Sequence, residues 1–232
     1  MDILLVTCEH AGNVIPAEHK KKFRKYTRLL RTHQGYDIGA AELFGEISSV
    51  IADRHYAYNL SRLLIDPNRS LKHRAIFSAI SRALPADSKS AIVRSYYQPY
   101  RDKVETAVKK CGAENKRVIH VSVHTFTPVL NRRTRTADIG LLYDPRRRSE
   151  KKLCRAIRKT LRALLPELRI RMNYPYTGIS DGLVSYLRRK FAASRYCGIE
   201  LEVNQKFWTR ALSRKDIVQQ GVAQALRLSL RP

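Results

Sequence analysis

Extended apolar runs that alternate with amphipathic helical stretches predict a single α/β domain with a mixed, largely parallel sheet. Three observations carry that prediction. Ile3–Val6 and Val118–Val123 are apolar, rich in β-branched residues and too short for helices. Between such runs lie stretches with apolar residues at helical spacing. No internal repeat, low-complexity tract or linker divides the 232 residues. A chain of this length buries roughly three quarters of its unfolded surface, so residues 1–232 are read as one domain.

Taken in order, Ile3–Val6 is the first strand, and it meets charge at Glu9 too early to be a signal peptide. Ala40–Ala52 is a helix with Leu43, Ile47, Val50 and Ile51 on one face. Tyr56–Leu60 and Leu63–Ile65 read as extended, ended by Asp66-Pro67 because proline fixes the local backbone. Ser88–Lys110 is helical in pattern, with a kink or break expected at Pro99. Val118–Val123 is the strongest strand and is expected to stop before His124; Ile139–Tyr143, Arg169–Met172 and Ile199–Val203 are further strands. Ser149–Leu165 is a basic helix, with Leu153, Cys154, Ile157, Leu161, Leu164 and Leu165 on its packed side. The last helix is expected to open at Ser213, with Asp216 completing a capping box.

The chain holds 45 Lys and Arg against 20 Asp and Glu, a formal charge of +25. Recurrent apolar segments exclude a disordered polycation, and no apolar run approaches the roughly 18 residues of a membrane span. Cys8, Cys111, Cys154 and Cys197 form no CxxC pair and read as reduced thiols of a cytoplasmic protein. The charge suggests an anionic partner: nucleic acid, a membrane surface or an acidic metabolite. Yet the clusters Lys20–Lys25, Arg132–Arg135 and Arg146–Arg148 are separate, and a single aromatic residue, Phe23, interleaves with them. A solvated basic surface is therefore preferred to a nucleic-acid site.

In open α/β sheets, reactive groups gather where strands end. Glu9-His10 follows the first strand, His124 follows the strongest, and Glu200 and Glu202 lie on the last. Two imidazoles and a carboxylate can hold zinc, or a related divalent ion, and leave a position open for water. The ion lowers that water's pKa to about 7, and a further carboxylate can take the proton and pass it to a leaving amine. Arg62, Asn68 and Arg69, around Asp66-Pro67, could grip a carboxylate, with Asp66 orienting a guanidinium. An ordinary turn explains the same residues. Asp37, just before a helix, is read from chemistry alone as its cap. Asn173–Gly178 is a loop whose part in a pocket is left open.

Together these clusters resemble the N-formylglutamate amidohydrolase family. The matching features are Cys8-Glu9-His10-Ala11-Gly12-Asn13 with Pro16, His33 with Asp37-Ile38-Gly39-Ala40, and Ser61-Arg62 with Asp66-Pro67-Asn68-Arg69. They continue with His124–Pro128, Asp138–Tyr143, Asn173–Gly178, Asp181-Gly182 and Glu200–Gln205, in that order over nearly the whole chain. The resemblance implies a three-layer α/β/α, zinc-carboxypeptidase-like fold. It implies hydrolysis of N-formyl-L-glutamate or a similar small anionic N-acyl amino acid. His10, His124 and Asp37 become the expected zinc ligands, with Glu9 the alternative to Asp37. Glu200 becomes the general base and acid, a role Glu202 could share from the same strand face. Arg62, Asn68 and Arg69 become the group that binds the substrate carboxylate and the oxyanion.

Overall fold

Successive strand residues point to opposite sides of a sheet, so a strand that is apolar on both sides must be covered twice. The computed structural model, which describes residues 2–209 and 214–231, meets that demand with three layers. The strands are β1 (Ile3–Cys8), β2 (Arg54–Ala57), β3 (Val118–Phe126), β4 (Val129–Leu130), β5 (Arg133–Thr134), β6 (Ile139–Leu142), β7 (Ile170–Met172) and β8 (Tyr196–Asn204). Six of them form one sheet of order β2-β1-β3-β8-β6-β7, and β4 and β5 pair as a separate hairpin. Every neighbouring pair in the large sheet is parallel except β6 and β8.

The main helices are α1 (Ala40–Ile51), α2 (Gln98–Ala113), α3 (Arg148–Leu164), α4 (Leu183–Lys190) and α5 (Lys215–Leu230). Leu4, Val6, Val121, Val123, Ile199 and Leu201 meet the apolar sides of α1, α3 and α5 on one face. Leu5, Val118 and Tyr196 meet α2, α4 and the short helices Ala79–Arg82 and Ala86–Ile92 on the other. Each such fully buried aliphatic side chain contributes roughly 1.5–3 kcal/mol. Among the described residues no helix is long and apolar enough to cross a membrane.

Several expectations shift. β3 does not stop at Val123; it stays paired with β8 as far as Phe126, so His124 lies inside the strand. Leu63–Ile65 is a buried turn rather than an extended run, its Leu64 N–H bonded to the Ser61 carbonyl at 2.9 Å. Val50 and Leu164 are exposed, because the inward stripes run through Leu43, Phe44, Ile47 and Ile51 in α1 and through Cys154, Ile157 and Leu161 in α3. The helical stretch does not stop at Pro99: Ala86–Ile92, a π turn at Val93–Tyr97 and α2 follow one another without a gap, and the π turn just before Pro99 is the irregularity expected of a residue with no N–H to donate. The proposed cap Ser213 lies outside the described residues.

Candidate active site

β1 is flanked by β2 on one side and β3 on the other, so the chain order reverses there and a crevice opens at the strands' C-terminal ends. The sheet face opposite α1, α3 and α5 turns polar at that end. Thr7 is in register with Ser122, Ser122 with Glu200, and His124 with Glu202. An open cavity of about 200 Å³ lies over this row, bordered by His10, Asp37, Arg69, His124, Glu200 and Tyr176 among others.

Backbone contacts bring distant segments here. The Asp37 N–H bonds the His10 carbonyl at 3.0 Å, and Thr125 Oγ1 bonds the Ile38 carbonyl at 2.8 Å. Gly39 caps α1 with φ of 84°, and a Cβ there would meet the Trp208 ring at 2.2 Å, so only glycine turns this corner without strain. Asp37 makes no side-chain cap of α1. Its carboxylate instead faces both histidines, which corrects the capping role read from chemistry alone.

His10, Asp37 and His124 are buried, and each offers a ligand atom within 4.8 Å of the others. The two rings lie 5.1 Å apart between centroids. Their nitrogens are assigned by what stands behind them. His10 Nε2 is 2.8 Å from Asp66 Oδ1, while His124 Nε2 is 3.0 Å from Glu9 Oε2 and 3.0 Å from Ser122 Oγ. Both Nδ1 atoms point to Asp37 Oδ2, at 3.4 Å from His10 and 3.0 Å from His124. His10 Nδ1 is buried with no hydrogen-bond partner. A carboxylate behind each imidazole with the other nitrogen converging inward is the arrangement that orients histidines toward a metal. The donor set therefore fits a divalent ion of the zinc type.

Glu9 and Asp66 stand behind the ligand candidates rather than among them. Glu9 is held by Tyr100 Oη at 2.9 Å as well as by Ser122, which places it beyond His124 and away from the open side. Asp66 orients His10, and its Oδ1 also accepts the Asn68 N–H; among the described residues it makes no hydrogen bond to an arginine, the role the sequence had suggested.

Charge is concentrated here. Burial would raise the Asp37 carboxyl, but the Arg62 guanidinium and the histidines hold it well below the usual range. Burial would lower His124, but its bonds to Asp37 and Glu9 hold it well above an ordinary imidazole. Glu200 is raised by burial, and Glu202 is pushed up to about 8 by burial and by the charges of Asp37 and Glu200. Both Glu200 and Glu202 border the cavity, and Glu202 Oε2 is buried with no hydrogen-bond partner among the described residues.

The arginine cluster forms the other wall. Arg62 pairs with Asp37, donates to the His33 carbonyl at 3.1 Å and keeps its Nε unpartnered. Arg69 Nη1 donates to the Asp181 carbonyl at 2.6 Å and to the Asn68 carbonyl at 3.3 Å. Asn68 Oδ1 accepts the Leu183 N–H at 2.7 Å, and its Nδ2 lies 3.4 Å from His124 Nε2. Tyr97 Oη and Arg101 secure this loop through the carbonyls of Arg69 and Pro67. Arg62, Asn68 and Arg69 thus all border the cavity with the metal candidates and Glu200.

Sequence reasoning missed Ser122 and Tyr100, while the loop whose part in a pocket it left open does supply Tyr176 to the cavity, with Asp181 beside it. Ser122 carried a signal: two residues before His124 on a strand, it shares that residue's face. Tyr100 carried none, because it arrives from α2.

An α/β domain with a converging His–Asp–His triplet that could hold a metal ion, beside two buried strand glutamates, has the build of a hydrolase. The chain belongs to the N-formylglutamate amidohydrolase family, whose model matches residues 3–209. No curated protein sequence matches it. Among solved structures, gene product Atu2144 from Agrobacterium tumefaciens is 23% identical with a TM-score of 0.81, the match covering 99% of this chain and 90% of that one. An N-formylglutamate amidohydrolase from Ralstonia eutropha JMP134 is 18% identical with a TM-score of 0.70, covering 99% and 94%. At such identities these two likenesses concern the fold.

Proposed function

We propose that the protein is a zinc-dependent amidohydrolase that removes the formyl group from N-formyl-L-glutamate or a similar N-acyl amino acid. The observation that carries this reading is the pair of Nδ1 atoms directed at Asp37, each imidazole backed by its own carboxylate. His10, His124 and Asp37 would hold the ion, which when bound supplies a Lewis acid and a water of lowered pKa. Glu200, at the cavity wall, takes the proton from the attacking water. It returns that proton to the amide nitrogen as the C–N bond breaks, so formate and the free amino acid leave. Arg69, only one of whose terminal nitrogens is engaged, forks the substrate carboxylate beside Asn68. Arg62 keeps Asp37 ionised and directs its remaining N–H groups toward the oxyanion. Four free, buried cysteines suit work in the reducing cytoplasm.

The test is formate release from a panel of N-formyl and N-acetyl amino acids by zinc-loaded protein. Release that is fastest with the glutamate derivative supports the reading, and no release from any member overturns it.

A further inference from the structure

The active site accounts for little of the +25 charge, and α3 shows where some of the rest is organised. Its inward side is consumed by the core through Cys154, Ile157 and Leu161. Its outward side carries exposed Lys152, Arg155, Lys159 and Arg162, flanked by half-buried Lys151 and Arg158. The helix's one acid, Glu150, is buried and taken by Arg188. Among the described residues none of the six cations joins an ion pair, while Glu167, just beyond the helix, is occupied by Arg214.

The exposed cations recur at intervals of three, four and three residues, which keeps them on one side of a helix that rises 1.5 Å per residue. The steps between them are therefore roughly 4.5–6 Å, on the scale of phosphate spacing along a nucleic-acid strand. A neighbouring element adds one more exposed cation: Arg169 flanks β7, on which α3 packs. No aromatic residue lies in α3, and its apolar side is already buried, so it has nothing to stack on bases or to insert into lipid.

We propose that the outer face of α3 binds the phosphate backbone of nucleic acid, independently of base sequence and of the hydrolytic site. The measurement is fluorescence anisotropy of a short labelled duplex DNA titrated with the full chain between about 50 and 200 mM salt. Replacing Lys152, Arg155, Lys159 and Arg162 together by Gln should lower the logarithmic salt slope by about 3.6, at about 0.9 for each lost phosphate contact. Affinity at the low-salt end should fall by roughly 10²-fold or more. Formate release should be unchanged, which separates this proposal from the catalytic one. Single Arg155→Gln and Lys159→Gln variants, each lowering the slope by about 0.9, keep the test open should the quadruple variant unfold. A control removes the same number of charges elsewhere, with Lys20, Lys21, Lys22 and Arg24 all changed to Gln. Equal loss in this control means diffuse charge and overturns the proposal. So does α3-dependent binding to phosphatidylserine vesicles in the absence of α3-dependent binding to DNA.

Discussion

His10 and His124 each have one nitrogen fixed by a carboxylate behind it, so chemistry at the other is decided before any ligand arrives. His10→Ala and His124→Ala should lose bound zinc by elemental analysis. Asp37→Asn should weaken zinc binding, and full retention there would remove Asp37 from the ligand set. Glu200→Gln should keep zinc and lose at least about 10²-fold in formate release, the scale of a general-base contribution. The bonds of His124 to Asp37 and Glu9 favour its charged form, whereas a metal-ligating imidazole must be neutral, so zinc affinity should fall as pH falls, measurable by calorimetry across pH. His120 shows the opposite displacement. Buried between Thr7 Oγ1 and Tyr196 Oη, both at 2.7 Å, it is lowered to about 4 by burial. The unfolded chain then binds a proton between about pH 6.5 and 4 that the folded chain refuses, so stability drops as pH falls through that window. His120→Gln should remove up to about 3 kcal/mol of that drop in denaturant titrations compared across pH.

At the scale of elements, Arg188 of α4 ties three pieces together. It pairs with Glu150 of α3 at 3.0 Å, and it donates to the Gly198 carbonyl of β8 at 2.7 Å and to the Gly178 carbonyl. Both ionised side chains are buried, so Arg188→Leu leaves Glu150 uncompensated and should cost about 3–5 kcal/mol in chemical unfolding. Leu at both positions should recover much of that loss. Gly39→Ala should cost about 2 kcal/mol from backbone strain alone, and should also lower zinc content through displacement of the Asp37 loop. What was legible in the sequence follows from the same physics. β1 announced itself because both of its faces are apolar for most of its length, and β3 and β8 because one face of each is an apolar row, Ile119, Val121 and Val123 in the first and Ile199, Leu201 and Val203 in the second. Asp66 did not announce its service to His10, 56 positions away, since a loop carboxylate carries no periodicity. Asp37 looked like a cap because caps and ligands share a residue type and a place before a helix. Only the backbone of Gly39, which starts α1 without a side-chain bond, separates the two. The end of β3 was set too early because a histidine reads as a break, while its partner strand β8 runs on beside it.

For the whole molecule, cations so far in excess of anions repel one another in the folded state. Added sodium chloride should raise the melting temperature as it shortens the Debye length from about 10 Å at 0.1 M. A flat response would mean that the cations are spaced widely enough not to feel one another. Removal of the α3 charges should raise the melting temperature at low salt for the same reason, even as it weakens nucleic-acid binding. The face of a protein that best meets an anionic partner would then also be the one that most strains the protein without it.

The pairing of β3 with β8 governs two things at once. Ser122 faces Glu200 and His124 faces Glu202, while Ile199, Leu201 and Val203 point into the opposite layer. A shift of β8 by a single residue would turn its carboxylates under α1 and α3 and its aliphatic groups into the crevice. The chain cannot misplace its chemistry without also wetting its core, so errors in the catalytic arrangement are rejected during folding rather than discovered at turnover. Length changes within β8 should accordingly be survivable only in steps of two residues.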